Sequence, residues 1–366
     1  MRKDWEYKKL GEMCDIYQPK TISTDSLYEK GKYPVYGANG IIGRYNEYNH
    51  EATEILLTCR GATCGRINIS VPYSWINGNA MVIHRKSDAL HFDFLKYSMM
   101  NIDYSLIITG AAQPQITRQK LAPTIIPIPP KPTQLAIVAE LDKINELIQL
   151  KKQQLKDYDQ LAQSIFYEMF GDPVENEKGW EVKKLGDFAS SDLGKTLNKS
   201  KDTGELYSYL CAINIKWNEV DTSILKETRF EKDELNRYSV TYGDLLVCEG
   251  GDTGRAAIWN RKEDILYQNA LHRIRLKSGI SNIYILYFLW KLKKKGIIDD
   301  RYSKGVTIKH LVKSSLLSIP VPLPPLPLQQ QFAARIEAIE RQKQQVSETI
   351  KDLETLLASR MQYWFD

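Results

Sequence analysis

The residue pattern predicts an α+β protein with two globular α/β domains in an inverted, pseudo-two-fold arrangement, separated by two long antiparallel coiled-coil helices. Three observations carry this expectation. A block of sequence recurs in the second half, each copy runs into a heptad-patterned stretch, and 366 residues suit two domains of about 130 to 150 residues with connecting elements.

The repeat comes first because missing one mis-assigns the fold. Trp5-Glu6-Tyr7-Lys8-Lys9-Leu10-Gly11 returns as Trp180-Glu181-Val182-Lys183-Lys184-Leu185-Gly186. Leu56-Leu57-Thr58-Cys59-Arg60-Gly61, running on to Gly65-Arg66, returns as Leu245-Leu246-Val247-Cys248-Glu249-Gly250, running on to Gly254-Arg255. Ile126-Pro127-Ile128-Pro129 corresponds to Ile319-Pro320-Val321-Pro322. The offset between copies grows along the chain, which places insertions in the second. The expected segments are a first domain over 1–132, a helical region over 133–172, a second domain over 173–327 and a second helical region over 328–366.

Within the first domain, Ile55-Leu56-Leu57 predicts a strand entering a tight turn at Arg60-Gly61-Ala62-Thr63-Cys64-Gly65-Arg66. The glycines 61, 65, 250 and 254 read as turn residues that satisfy backbone geometry. Asn79 and Asn269, each beside alanine ahead of apolar residues, read as fold-internal amides. The proline passages 129–132 and 322–327 are expected to run extended, since proline fixes φ and removes a donor.

After each proline passage the periodicity becomes helical. Ile137, Leu141, Ile144, Ile148, Lys151, Leu155 and Tyr158 fall at alternating steps of four and three, and so do Phe332, Ile336, Ile339, Lys343, Val346, Ile350 and Leu353. That spacing predicts a helix–helix seam, which is also the expected docking surface for other subunits. Helices of this length span roughly 55 Å at about 1.5 Å per residue. Gly171 and Pro173 are expected to end the first. Antiparallel pairing is expected because it sets the seam lysines 151 and 343 opposite apolar partners, whereas parallel pairing sets them together.

Charge is unevenly distributed. Residues 133–170 hold six acidic and four basic side chains and 328–366 hold six and five, so with a net +5 overall the remaining chain carries +8. A basic excess in the globular parts is what a polyanion-binding surface needs, although mixed solvated surfaces produce it too. Five cysteines without CxxC spacing read as reduced thiols, and no stretch has the apolar length of a membrane span. The expected compartment is the cytoplasm, with no membrane partner.

Catalytic signatures are weak. Ala189 to Thr196 formally fits a permissive phosphate-loop pattern, but the segment before it is not a strongly apolar strand. Its twin in the first copy ends Pro19-Lys20-Thr21, where proline cannot replace glycine. The five histidines lack HxxxH or HExxH spacing, and GxSxG is missing. No catalytic and no metal-binding residue is assigned.

Polar groups in the turns are the candidate DNA contacts. In the first domain these are Lys20, Tyr36, Asn39, Arg44, Arg60, Thr63, Arg66, Gln113 and Gln115. In the second they are Lys195, Thr196, Glu249, Asp252, Arg255, Lys304 and Lys309. Arginine suits guanine edges and phosphates while carboxylates accept from cytosine, so exchanging Arg60 for Glu249 would change what is read.

The repeated order of Trp-x-x-x-x-Leu-Gly, Leu-Leu-x-Cys-x-Gly-x-x-x-Gly-Arg, Ile-Pro-[Ile/Val]-Pro and heptad helix resembles the specificity subunit of type I restriction-modification enzymes. The resemblance covers essentially the whole chain. It implies two target recognition domains and an asymmetric bipartite double-stranded DNA target, one half-site per domain. It also implies two modification subunits using S-adenosylmethionine on adenine, and restriction subunits using ATP, with Mg in the partners and no cofactor or catalysis in this chain. A coiled-coil adaptor that binds only protein is the alternative, and it predicts no salt-dependent DNA affinity.

Overall fold

The computed structural model describes residues 2, 4–110, 113–198, 202–305 and 309–366. Two compact units emerge, Met1–Lys152 with Ser347–Asp366, and Gln153–Val346. The division cuts across both long helices and leaves half of each in either unit.

In the first unit the buried run Ile55–Thr58 is an inner strand of an antiparallel sheet ordered Cys14–Tyr17, Ala80–Arg85, Ile55–Thr58, Ile67–Ile69. Both faces of that run are covered, which explains its unbroken apolar character. Ile55, Leu57, Met81 and Ile83 face a core with Phe94 and Leu95 of the helix Phe92–Asn101. Leu56, Ala80 and Val82 face Tyr36 and Ile76 of a smaller sheet ordered Gly40–Tyr45, Tyr33–Gly37, Trp75–Ile76. The opening of the repeat, Glu6–Lys9, pairs with Ile125–Ile128.

The second unit repeats this plan. Ala189–Leu193, Leu271–Leu276, Leu245–Cys248 and Ala256–Ile258 form the matching sheet, backed by the helix Asn282–Lys294. Leu245 and Val247 face one core while Leu246 and Cys248 face the other. The inserted residues build a larger second sheet, ordered Lys226–Phe230, Glu205–Leu210, Ile265–Tyr267, Ser239–Val240, and a short hairpin of Ile215–Lys216 with Glu219–Val220.

The proline passages depart from expectation. They do not run on as extended spacers: Ile125–Ile128 and Pro320–Leu323 are strands, and the helices Lys131–Phe170 and Leu326–Phe365 each begin three residues later. Pro132 and Pro327 sit in first helical turns, where the missing N–H has no intrahelical partner to lose. Each helix start is then clamped by a buried glutamine. Gln134 Oε1 accepts from the His91 amide (2.7 Å) while its Nε2 donates to the Ala89 and Pro129 carbonyls (both 2.9 Å). Gln329 does the same toward Ser281 (3.0 Å) and Pro324 (2.7 Å).

The helices run antiparallel within each unit. In the first, Arg360 pairs with Glu140, Trp364 Nε1 donates to Glu140 at 3.0 Å, and Lys152 meets Glu354 at 2.8 Å. In the second, Lys343 meets Asp159 at 2.8 Å and Glu340 at 3.2 Å. Lys343 therefore lies opposite a carboxylate, not the apolar partner its seam position led us to expect.

The heptad residues also serve a second purpose. Ile137 and Leu141 belong to the first unit's core with Phe94, Leu121 and Ile126, and Phe332, Ile336 and Ile339 belong to the second unit's core with Tyr284, Phe288 and Val321. Ile144, Ile148, Val346 and Ile350 are buried too, with Leu155, Tyr158 and Leu353 half-buried. These side chains are consumed inside the chain, so the expectation that they dock other subunits is corrected.

His272 is fully buried on the central strand, its Nε2–H donating to the Leu311 carbonyl (2.6 Å) and its Nδ1 accepting from Ser191 Oγ (3.2 Å). Burial pushes its pKa below the ordinary imidazole range, outweighing the Leu311 carbonyl that raises it, with Lys313 adding to the depression. The unfolded chain thus takes up this proton first on acidification. Stability from this site is present above about pH 6.5 and is lost as pH falls below it. We expect the melting temperature to fall between pH 7.5 and 5.5, and to fall less in His272→Gln, as read by thermal unfolding at each pH.

Candidate nucleic-acid interface

In the first unit three stretches converge at one end of the main sheet. The strand Ile55–Thr58 leads into loop 59–66, closed by Gly65 N–H to the Thr58 carbonyl (2.9 Å) and Arg66 N–H to the Thr63 carbonyl (3.1 Å). Positive φ at Gly61 (+85°) and Gly65 (+96°) makes this turn possible, as expected of glycine. Loop 113–115 joins it through Gly61 N–H to the Pro114 carbonyl (3.0 Å) and a backbone bridge between Arg60 and Gln115. The hairpin turn at Ala38–Asn39 joins through Thr63 Oγ1–H to Asn39 Oδ1 (2.6 Å) and through Thr58 Oγ1–H to the Ala38 carbonyl.

This rim presents Asn39, Arg60, Thr63, Arg66 and Gln113 to solvent, with Gln115 half-buried. Neither Arg60 nor Arg66 is engaged in an ion pair among the described residues. Lys20 is also exposed; its neighbour Thr21 accepts from the Gly78 amide at 3.1 Å.

Two other first-unit candidates have different roles. Tyr36 is 5% exposed, packs against Leu56 and Val82, and accepts from the Val71 amide at 3.1 Å, so it is a core residue. The Arg44 guanidinium donates to the Gly31 (2.6 Å) and Lys32 (2.7 Å) carbonyls, holding the chain that enters the hairpin. Asn79, expected inside, is exposed. The internal amide is Asn77, whose Oδ1 accepts from Ile22 N–H (3.0 Å) and Trp75 Nε1–H (3.1 Å). Sequence position alone could not separate two asparagines two residues apart.

The same loop in the second unit has opposite electrostatics. Asp252 meets Lys293 (2.9 Å) and Arg255 (3.5 Å), Lys293 also meets Asp299 (2.9 Å), and Thr253 Oγ1–H donates to Asp299 (2.7 Å). Arg255 Nη2–H donates to the Ala212 carbonyl (2.8 Å), and Lys309 Nζ donates to the Asp299 carbonyl (2.9 Å). Glu249 lies 3.8 Å from His310 Nδ1. Lys304 is exposed, its backbone paired with His310. Here too the tight turn needs positive φ, but at Gly251 and Gly254; Gly250, expected in that role, pairs with His310 instead.

Lys195 is the plainest correction. It is 6% exposed, with Nζ on Glu234 (2.6 Å), the Arg229 carbonyl (2.9 Å) and Asp202 (3.6 Å), so it cannot reach a phosphate. Burial alone would raise the Glu234 carboxyl, but the Lys195 ammonium and the Glu231 amide hold it below the usual range. Thr196 stays exposed and accepts from Asn269 Nδ2 at 3.1 Å. The Ala189–Leu193 part of the apparent phosphate loop is a strand paired with Leu271–Leu276.

Comparison with known proteins adds the decisive observation. The family described as the type I restriction modification DNA specificity domain matches residues 2–157 and again 177–355. The chain belongs to this family. Among its relatives, a putative type I restriction enzyme specificity subunit from Haemophilus influenzae is 25% identical over 354 residues, covering 94% of this chain and 89% of the relative. The MjaVIII specificity subunit of Methanocaldococcus jannaschii is 22% identical over 402 residues, covering 97% and 92%. Of the solved structures, the S subunit of a type I system from M. genitalium aligns over 99% of this chain and 96% of its own, with a TM-score of 0.57 and 15% identity. A chain from a structural study of complex assembly in the type I R-M system reaches a TM-score of 0.63 at 18% identity, covering 99% and 97%. At such identities the shared property is the fold. Within it, this specificity chain carries one specificity domain per repeat.

Because Lys195 ties Glu234 and Asp202 to the sheet, removing it leaves two half-buried carboxylates without their cation. Lys195→Ala is expected to destabilise the chain by about 1 to 3 kcal/mol, measured by denaturant unfolding. A variant of unchanged stability with weakened DNA binding would show instead that the lysine reaches DNA.

Proposed function

We propose that each unit of this specificity chain reads one half of an asymmetric bipartite double-stranded DNA target, and that the chemistry belongs to partner subunits. One observation carries the reading: a single backbone frame occurs twice with opposed loop chemistry, solvent-facing Arg60 and Arg66 in one copy and ion-paired Asp252 and Arg255 in the other. Two identical readers would select a symmetric target; two different ones select an asymmetric one. Each mismatch costs only about 1 to 3 kcal/mol, so coupling two short half-sites multiplies discrimination that neither supplies alone.

In this reading two modification subunits methylate adenine with S-adenosylmethionine and restriction subunits use ATP and Mg, while this chain holds no cofactor. The cytoplasm, where the DNA lies, is the working compartment. Among the described residues no helix is long and apolar enough to cross a membrane. The partners dock on apolar side chains that the helices leave outside. Leu150 (57% exposed) and Leu356 (45%) supply them in the first unit, and Leu161 (46%) and Tyr167 (48%) in the second.

Replacing residues 1–132 by the corresponding segment of another such chain is expected to change one half of the methylated sequence and leave the other intact, as read by mapping methylated sites in host DNA. Change in both halves would defeat the two-reader model. Independently, Leu150→Glu with Leu161→Glu is expected to lower the yield of the complex with modification subunits at least tenfold in co-purification, with the melting temperature of the chain unchanged.

A further inference from the structure

The recognition rim of the first unit contains two side chains that its polar chemistry does not explain. In the hairpin formed by Tyr33–Gly37 and Gly40–Tyr45, Tyr36 pairs with Ile41 and Val35 with Gly43, so Ile42 is an extra residue in the outer strand. Adjacent residues of a regular strand point to opposite faces, and one of two neighbouring isoleucines would turn into the core. A bulge breaks that alternation and re-aims side chains. Here Ile41 is 60% exposed and Ile42 is 46% exposed.

Nothing about this hairpin end is loose. Ala38 accepts from Thr58 Oγ1 and from Asn68 Nδ2 (3.3 Å), and Asn39 accepts from Thr63 Oγ1 (2.6 Å). Ile42 lies over Gly37 so closely that its Cγ2 would be 2.8 Å from any Cβ there, which leaves glycine as the residue that lets it seat. An apolar pair is thus presented by a fixed backbone.

The surroundings say what it meets. Segments 38–42, 60–66 and 113–115 contain two arginines and no carboxylate. Both arginines are exposed and, among the described residues, neither is ion-paired. That is complementary to a polyanion and unfavourable for a cationic or neutral apolar partner. On duplex DNA the apolar group accessible to such a rim is the C5-methyl of thymine in the major groove. We propose that Ile41 and Ile42 form a thymine-methyl reader in the first half-site. This rests on the reading that the first unit recognises one half of the target.

The test uses the assembled complex with its modification subunits and a duplex carrying the mapped target. Thymines of the first half-site are replaced by deoxyuridine, which keeps the pairing and removes the methyl. The wild-type complex is expected to bind the uracil duplex about fourfold more weakly, the worth of one buried carbon. In Ile41→Ser with Ile42→Ser, affinity for the thymine duplex falls to the wild type's uracil value and the two duplexes bind alike, while Ile41→Val keeps most of the preference. Both positions are exposed, so melting temperatures should agree within about 2 °C. Equal wild-type binding to both duplexes overturns the proposal, as does a double variant that keeps the preference. Loss of the modification subunits from the double variant, with the preference intact, marks the pair as a protein contact and overturns it too. A scrambled first half-site in the same titration isolates the underlying reading. If the wild type binds it as well as the target, the one-unit, one-half-site model itself fails, whatever Ile41 and Ile42 do.

Discussion

The two helix–domain junctions govern the rest of the molecule. A helix of 40 residues with an apolar stripe has to bury that stripe along its length, and neither a domain nor a second helix suffices alone. The chain divides the task, giving Ile137 and Leu141 to the first sheet-and-helix core and Phe332, Ile336 and Ile339 to the second, with the intervening Ile144, Ile148, Val346 and Ile350 also buried. Gln134 and Gln329 fix where each helix leaves its domain by satisfying loop amides and carbonyls that burial would otherwise orphan. Helix and domain therefore form one packed body within each unit.

On that shared frame the loops are electrostatically independent. In the first unit the turn after the central strand is held by backbone hydrogen bonds and glycine geometry, which leaves its arginines uncommitted. In the second the corresponding turn is braced by a chain of charges through Asp252, Lys293 and Asp299. The insertion is braced similarly by Lys195 with Glu234. Stiffness is reached by different means in the two copies, so the side chains left over for recognition also differ.

Much of the architecture was legible from the residues because periodicity and duplication are long-range signals. The strand at Ile55 and the seam from Ile137 follow from spacing, whereas the antiparallel pairing is found although Lys343 meets Asp159 and not the apolar partner on which that expectation rested. The errors have a common physical origin. A heptad reports that a stripe is buried but not against what, so Ile137 and Phe332 were assigned to a helical partner although a sheet also claims them. Side-chain chemistry likewise reports capability without exposure, so Tyr36 and Lys195 read as DNA contacts while the core and an ion pair had taken them. The bulge at Ile42 left no trace because bulges depend on pairing across strands. The glutamine clamps did leave one: Gln134 and Gln329 recur at the same offset as the seam residues.

The first unit is discontinuous in sequence. Its core is bordered by Leu357, Met361, Trp364 and Phe365, with Arg2 stacked on Trp5, Tyr363 and Trp364, whereas the second unit is the unbroken segment 153–346. A ribosome delivers residues 2–152 first, but their apolar border has no cover until residues 347–366 emerge. The segment made later, 153–346, carries its whole unit in one stretch. Until residues 347–366 have been made, the side of the first core that Leu357, Met361, Trp364 and Phe365 cover is exposed apolar surface, the kind that invites association with other chains.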